Sequence, residues 1–369
     1  MSRQLIENKI LESIPSKKMV RLHLSPRFGK TKLIISLIKR DNPEKILWVT
    51  PSKDLAKVDI PEEFKKWDAV GYIEKLKVIT WASLKKETGQ YDLIILDEEQ
   101  YATDKNCNNF FNYSLKGKIV SMTGTPSTRT DKEEIYWKLG LKIAYTLTID
   151  HAVSMNIVSD YEITIYLVDM STESNIKAGS NNNEFMTSEA SYYDYLDKKA
   201  VESYGTESRT GKIPWAITRR VEAIKKSPTK KELAHRLLDQ ICKGRTLIFA
   251  PFIDYAEELC LYSYHSKSEN KIALEKFQNF EIDKLSLVNT GGVGFTFLGI
   301  EYLLIVQIDS NKTGISSQKI ARSLLKQDNK DKVKILVLCL KDTKDEQWVL
   351  QGLKDFDKSK IKKVHATLK

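Results

Sequence analysis

Ser25-Pro26-Arg27-Phe28-Gly29-Lys30-Thr31 joins an alternating apolar stretch, Met19-Val20-Arg21-Leu22-His23-Leu24, to Leu33-Ile34-Ile35-Ser36-Leu37-Ile38. Alternation that ends in a turn predicts a strand, and the apolar run beyond predicts a buried helix face. A glycine, a lysine and a hydroxyl at such a junction suit a triphosphate. Backbone N–H groups at the helix N-terminus cradle the phosphates, Lys30 neutralises the outer two, and the Thr31 hydroxyl holds Mg²⁺. A full phosphate loop carries glycine five residues before Gly29, and that place is Leu24. On these residues alone, a phosphate site and an ordinary loop reading Gly-Lys-Thr both stand.

A second stretch decides between them. Tyr91-Asp92-Leu93-Ile94-Ile95-Leu96-Asp97-Glu98-Glu99-Gln100 is an apolar run ending in acids. Four apolar residues in a row predict a central parallel strand covered on both faces. Such a strand delivers its next residues to the carboxyl edge of the sheet, where α/β folds bind ligands. Asp97 then sits on Mg²⁺ and Glu98 orients the water that attacks the γ-phosphate. Downstream of a Gly-Lys-Thr loop, the acidic pair reads as an ATPase site.

The 369 residues suffice for two domains, and 41% hydrophobic with 29% charged residues describes an ordinary globular chain. No apolar run approaches the roughly 18 residues that a membrane span needs, and Met1-Ser2-Arg3-Gln4-Leu5 has no signal-peptide core. Cys107, Cys242, Cys260 and Cys339 form no paired metal spacing, which argues for a reducing cytoplasm, the host's if the chain is viral. Lys plus Arg is 59 against 49 acids, a net charge of +10, so a polyanion is a natural partner and a lysine-rich bias the plain alternative.

The first residues predict a helix with Leu5, Ile6, Ile10, Leu11 and Ile14 on one side; Gln4 reads as an adenine contact or as an exposed helix residue. Strands are expected at Lys45-Ile46-Leu47-Trp48-Val49-Thr50-Pro51-Ser52-Lys53, at Val78-Ile79-Thr80-Trp81-Ala82-Ser83-Leu84 and at Ile119-Val120-Ser121-Met122-Thr123-Gly124-Thr125-Pro126. Alternating with helices, they predict a doubly wound parallel sheet whose strand ends share one edge with Lys30 and Asp97.

These pieces, in order, resemble motifs I, Ia, Ic, II and III of superfamily 2 helicases, nearest the compact phage and restriction-motor members. Gly244-Arg245-Thr246-Leu247-Ile248-Phe249-Ala250-Pro251 resembles motif IV, and Tyr264-His265-Ser266 with Phe277 the strand and helix after it. Leu285-Ser286-Leu287-Val288-Asn289-Thr290-Gly291-Gly292-Val293-Gly294-Phe295 resembles motif V in a form nearest the Swi2/Snf2-like translocases, and Ser317-Gln318-Lys319-Ile320-Ala321-Arg322 resembles motif VI. The resemblance implies an α/β fold of two RecA-like domains, each a mostly parallel sheet with flanking helices, with ATP in the cleft between them.

The expected division is 1–150 for the first, ATP-binding domain, 151–226 for a connecting region that holds the hinge, and 227–369 for the second domain. Residues 171–212 form a flexible insert, because Ser, Asn, Gly and Glu dominate its first half and read as a loop or lid. Tyr192-Tyr193-Asp194-Tyr195 has a helical flavour, with its rings burying a face or stacking on bases. Ser227-Pro228 predicts a capped helix start.

The resemblance implies a motor using ATP and Mg²⁺. Arg27, Gly29, Lys30 and Thr31 hold the nucleotide with Gln4, Asp97 joins Thr31 on the metal, and Glu98 acts on the water. Arg322 reaches in from the second domain as an arginine finger, and Gln318 helps place the nucleotide. The family carries a second arginine three residues on; here that place is Leu325, beside Lys326. Either Arg322 acts alone, or Lys326 substitutes, or hydrolysis is slow. Nucleic acid, DNA ahead of RNA, lies across Thr50, Ser52, Lys53, Thr80, Thr290 and Gly291, while Thr123 and Thr125 couple the sites. The lysine-rich end, residues 354–369, tracks a backbone or forms a solvated helix. The chain acts alone or within a replication or recombination assembly. Rival readings are a viral DNA-packaging ATPase and a degraded motor serving as a nucleic-acid-binding subunit.

Overall fold

The computed structural model describes residues 3–15, 19–53, 55–112, 117–124, 126, 129–180, 183–203, 214–265, 267–268, 271–288, 297–308, 315–326 and 332–368. They form two compact units. The first takes the described residues through Asp160 together with 297–298 and 315–326, and the second takes the rest.

The first unit is built on six strands: β1 (Val20–Leu24), β2 (Ile46–Thr50), β3 (Leu76–Thr80), β4 (Leu93–Asp97), β5 (Lys118–Thr123) and β6 (Lys142–Leu147). They lie in the order β3-β2-β4-β5-β1-β6, and every neighbouring pair is parallel. The sheet alternates with helices α1 (Arg3–Ser13), α2 (Lys30–Asp41), α3 (Ile60–Lys66), α4 (Trp81–Leu84), α5 (Asp104–Asn112), α6 (Thr130–Lys138) and α7 (Ile149–Ser154). Leu93, Ile94, Ile95 and Leu96 are all buried, as a strand covered on both faces requires. α2 buries Leu33, Ile34, Ile35, Leu37 and Ile38, each worth about 1.5–3 kcal/mol of gross apolar burial. Pairing of His23 with Thr123 and of Asp97 with Met122 puts the ends of β1, β4 and β5 side by side.

In the second unit the sheet contains β7 (Asp160–Val168), β10 (Thr246–Ala250), β11 (Ser263–Tyr264), β12 (Lys284–Val288), β13 (Tyr302–Ile305), β14 (Lys332–Leu340) and β15 (Ile361–Ala366), ordered β11-β12-β10-β13-β14-β7-β15. The helices of this half are α8 (Glu189–Glu202), α9 (Trp215–Lys225), α10 (Pro228–Gln240), α11 (Ile253–Leu259), α12 (Ile272–Gln278) and α14 (Lys344–Gly352). Between β13 and β14 in sequence comes α13 (Ile315–Ser323), which groups with the first unit. Ser227 starts α10 as its composition predicts: its hydroxyl accepts from the Lys230 N–H at 3.0 Å and Pro228 takes the first helical position. Lys230, Asp345 and Gln307, all buried, bond to one another at 2.7–2.9 Å and tie α10 and α14 to the end of β13.

Three segments differ from expectation. Residues 176–180 and 183–187, read as loop or lid, pair antiparallel as β8 (Ile176–Ser180) with β9 (Asn183–Thr187), because backbone pairing can order a polar stretch that buries little. Trp81 opens α4 instead of extending β3. The basic end makes the edge strand β15, parallel to β7. There Lys362 pairs with Glu162 at 2.5 Å and Lys363 with Glu346 at 3.2 Å, and lysines of this kind keep a sheet edge from recruiting another strand.

Candidate phosphate and acid site

The turn after β1 brings the backbone to φ 67° at Arg27 and φ 95° at Gly29. Only glycine adopts the second without strain, and a Cβ there would also collide with the Arg3 guanidinium. Lys30 and Thr31 are the first two residues of α2, so their amides are among the unpaired donors of a helix N-terminus. Across the site a Cβ on Gly124 would stand 3.0 Å from Lys30 Nζ. The backbone at Gly124 therefore runs close against the Lys30 ammonium.

Lys30 Nζ bonds Glu98 Oε1 at 3.1 Å, and both side chains are largely buried. Glu98 itself stands at φ 52°. The Gln100 amide donates to Glu98 Oε2 at 2.8 Å, while the Thr123 hydroxyl bonds Gln100 Oε1 at 2.7 Å and Glu98 Oε2 at 3.4 Å. Burial would raise the Glu98 carboxyl, but Lys30 and the Gln100 amide hold it below the usual carboxylate range. Asp97 behaves oppositely: burial and then the neighbouring Glu98 charge push it up, with Lys30 only partly offsetting them. Two adjoining carboxylates thus differ in proton affinity. Trp81 is buried, and its indole N–H donates to the Asp97 carbonyl at 2.8 Å, fixing the strand end.

Arg322, 224 positions beyond Glu98 in sequence (322 − 98), feels that carboxylate and also the Arg27 guanidinium. Burial lowers Arg322, and Glu98 works against the drop. Arg27 is pushed down to about 10 by burial and by the repulsion of Arg322. The sequence expectation has Arg322 arriving from the second domain, whereas the described residues around it belong to the first unit. The Ser159 N–H donates to the Leu324 carbonyl at 2.9 Å and its hydroxyl to the Leu325 carbonyl at 3.1 Å, while Val158 bridges Leu325. Leu325 and Lys326 lie past the end of α13, and the Lys326 ammonium bonds the Asn156 side chain.

These residues fit a magnesium nucleotide. Lys30, Arg27 and Arg322 surround the site with more positive charge than Glu98 cancels, as a polyphosphate would require. The Thr31 hydroxyl and Asp97 carboxylate are hard oxygen ligands of the kind Mg²⁺ takes.

No protein-family model and no curated protein sequence matches the chain. Among solved structures, an ATP-dependent Type ISP restriction-modification enzyme, LlaBIII, bound to DNA, is similar with a TM-score of 0.60 and 13% identity, over 100% of this chain and 31% of that one. The Hef helicase domain of Pyrococcus furiosus is similar with a TM-score of 0.51 and 13% identity, over 94% of this chain and 96% of that one. The chain shares the two-sheet, RecA-like fold of these structures. The chain spans about a third of the restriction enzyme's length, 31%.

Within this helicase-like fold the other expected site residues are scattered in environment. Gln4 is exposed on α1 and bonds Asn8 at 3.2 Å, whereas its neighbour Arg3 donates to the Phe28 carbonyl in the phosphate turn. Arg3 is the residue that sequence reasoning missed; a lone arginine opening an amphipathic helix gives no signal of what it will cover. Thr50 is fully buried at the end of β2, so it does not present a phosphate contact, and Thr123 is equally buried. Ser52 accepts from the Leu55 N–H at 3.3 Å, Thr80 bonds Ser83 at 3.0 Å, and Lys53 is exposed. Gln318 lies on α13, but its side chain is outside the described set, as are Thr125, Thr290 and Gly291. Among the described residues, no helix is long and apolar enough to cross a membrane.

Proposed function

We propose that the chain is an ATP-dependent nucleic-acid motor that hydrolyses ATP to translocate along, or unwind, DNA. The observation that carries the reading is the meeting of Lys30, at the start of α2, with Glu98, beyond the end of β4, in the field of Arg322. Arg27, Gly29, Lys30 and the amides opening α2 would bind the phosphates. Mg²⁺, held by Thr31 and Asp97, would neutralise charge on them. Lys30 pairs with Glu98 in this structure; moving to the phosphates frees that carboxylate to take a proton from the attacking water. Arg322 would stabilise the charge that develops on the outer phosphate, with Gln318 placing the nucleotide. The Thr123 hydroxyl, tied to Glu98 through Gln100, offers a path to the nucleic-acid face. Lys53, Ser52 and Thr80 supply contacts on that face, to which Thr290 and Gly291 would add.

ATP hydrolysis measured alone and with single-stranded DNA, duplex DNA, branched DNA and RNA tests the reading. Turnover should rise with one of these, and Lys30→Ala or Glu98→Gln should abolish it while the circular dichroism spectrum stays that of the folded chain. Unchanged turnover in either variant would sink the site assignment. Near-zero turnover in the wild type, with tight salt-sensitive DNA binding, would favour a motor that has kept only its grip.

A further inference from the structure

We propose, resting on the ATPase reading of the phosphate turn, that Arg3 is a positioning residue for that turn: by gripping the Phe28 carbonyl it aims the Gly29 N–H at the nucleotide phosphates. Arg3 opens α1 and donates to the Phe28 carbonyl, 25 positions along the chain. Its guanidinium also stands 5.7 Å from the centre of the Phe28 ring, which is fully buried. A peptide unit is planar, and in the trans form its C=O and N–H point opposite ways. The Phe28–Gly29 unit is trans. A donor that holds the Phe28 oxygen toward α1 therefore turns the Gly29 N–H away from α1.

The neighbouring peptide unit needs no such help. The Gly29 carbonyl accepts from the Leu33 N–H at 3.1 Å, so the bonding of α2 itself points the Lys30 N–H out of the helix end. The unit before Gly29 lies outside the helix, and glycine resists rotation in neither direction. A clamp from elsewhere in the chain is what keeps it in one orientation, and Arg3 is placed to be that clamp. A Cβ at residue 29 would collide with the guanidinium, so the space glycine leaves open is the space Arg3 uses. Arg3 is anchored in turn. Glu7, only 1% exposed, stands 3.6 Å from the Arg3 Nε and binds Lys32 Nζ of α2 at 2.8 Å. With Ile6 and Ile10 fully buried as well, α1 delivers the guanidinium to the turn from a fixed position.

Calorimetric titration of magnesium ADP and of magnesium tripolyphosphate into wild-type and Arg3→Met protein checks this, since methionine keeps the apolar stem and loses the donor. Both ligands should weaken alike, by about tenfold, the worth of one well-aimed N–H to a charged oxygen. In steady-state assays the KM for ATP should rise more than kcat falls, because the Gly29 N–H meets the phosphates before and during reaction. The lost effect is one of geometry, so the wild-type-to-variant ratio should hold between roughly 50 and 300 mM salt. Equal affinities in the two proteins would overturn the proposal. So would a loss on ADP that spares tripolyphosphate, which would make Arg3 a base or ribose contact, and a ratio that vanishes in salt, which would make it a direct charge on the phosphates. A fall in kcat with KM unchanged would reduce Arg3 to a structural residue and overturn it too. If wild-type protein binds neither ligand, the ATPase reading falls and takes this inference with it.

Discussion

Arg27 and Glu98 hold left-handed backbone that side chains other than glycine seldom adopt, at φ 67° and φ 52°. Each such residue costs about 1–3 kcal/mol, and the cost persists where surrounding structure over-determines it. Arg27 adds like-charge repulsion from Arg322. Arg27→Gly should therefore stabilise the fold, by up to about 1 kcal/mol, while weakening nucleotide binding. Urea unfolding and nucleotide titration of the same variant check both halves; a lower unfolding midpoint would mean that the Arg27 side chain contributes more than its backbone strain costs. Such strain leaves little trace in a sequence. The turn at Gly29 and the start of α2 at Lys30 were legible because a glycine needed for positive φ and an apolar run beyond it both leave a local mark. Arg3, Gln100 and the φ of Glu98 were not, since nothing in their own neighbourhoods sets them apart.

Between elements, the buried pair Arg21–Glu99 ties β1 to the end of β4 in the first unit. Arg21 on β1 meets Glu99, just past β4, at 2.8 Å and Glu133 on α6 at 2.9 Å, with its guanidinium 3.9 Å from the centre of the Tyr136 ring. The Ser121 hydroxyl of β5 also donates to Glu99. This cluster fixes the strand ends that carry the phosphate turn and the acids. Arg21→Met leaves the Glu99 charge uncompensated and should cost about 3–5 kcal/mol, whereas Arg21→Met with Glu99→Leu should recover most of the loss. Additive losses in denaturant melts would show that the pair is not the coupled unit drawn here. At this scale the apolar runs of β4 and α2 announced themselves, because burial on both faces leaves only one kind of residue available. The pair β8–β9 did not, because its composition is that of a loop, and the edge strand β15 did not, because its order comes from β7, far back in the sequence.

For the whole molecule, a net charge of +10 makes association with a polyanion sensitive to counterions. If several lysines meet phosphates, DNA affinity should fall by about 10³-fold or more between roughly 50 and 200 mM salt, read by fluorescence anisotropy. A flat salt profile would point away from backbone contacts. The paired RecA-like sheets were legible as an ordered set of weak motifs, whereas the side on which α13 sits was not, since that depends on Ser159 reaching Leu324 and Leu325. That attachment bears on descent. The chain leaves the second unit after β13, lends Arg322 to the first and returns at β14. Recombination breaking this gene between its halves would part Arg27 and Glu98 from the arginine whose charge they feel, so the two halves could not be shuffled like independent modules.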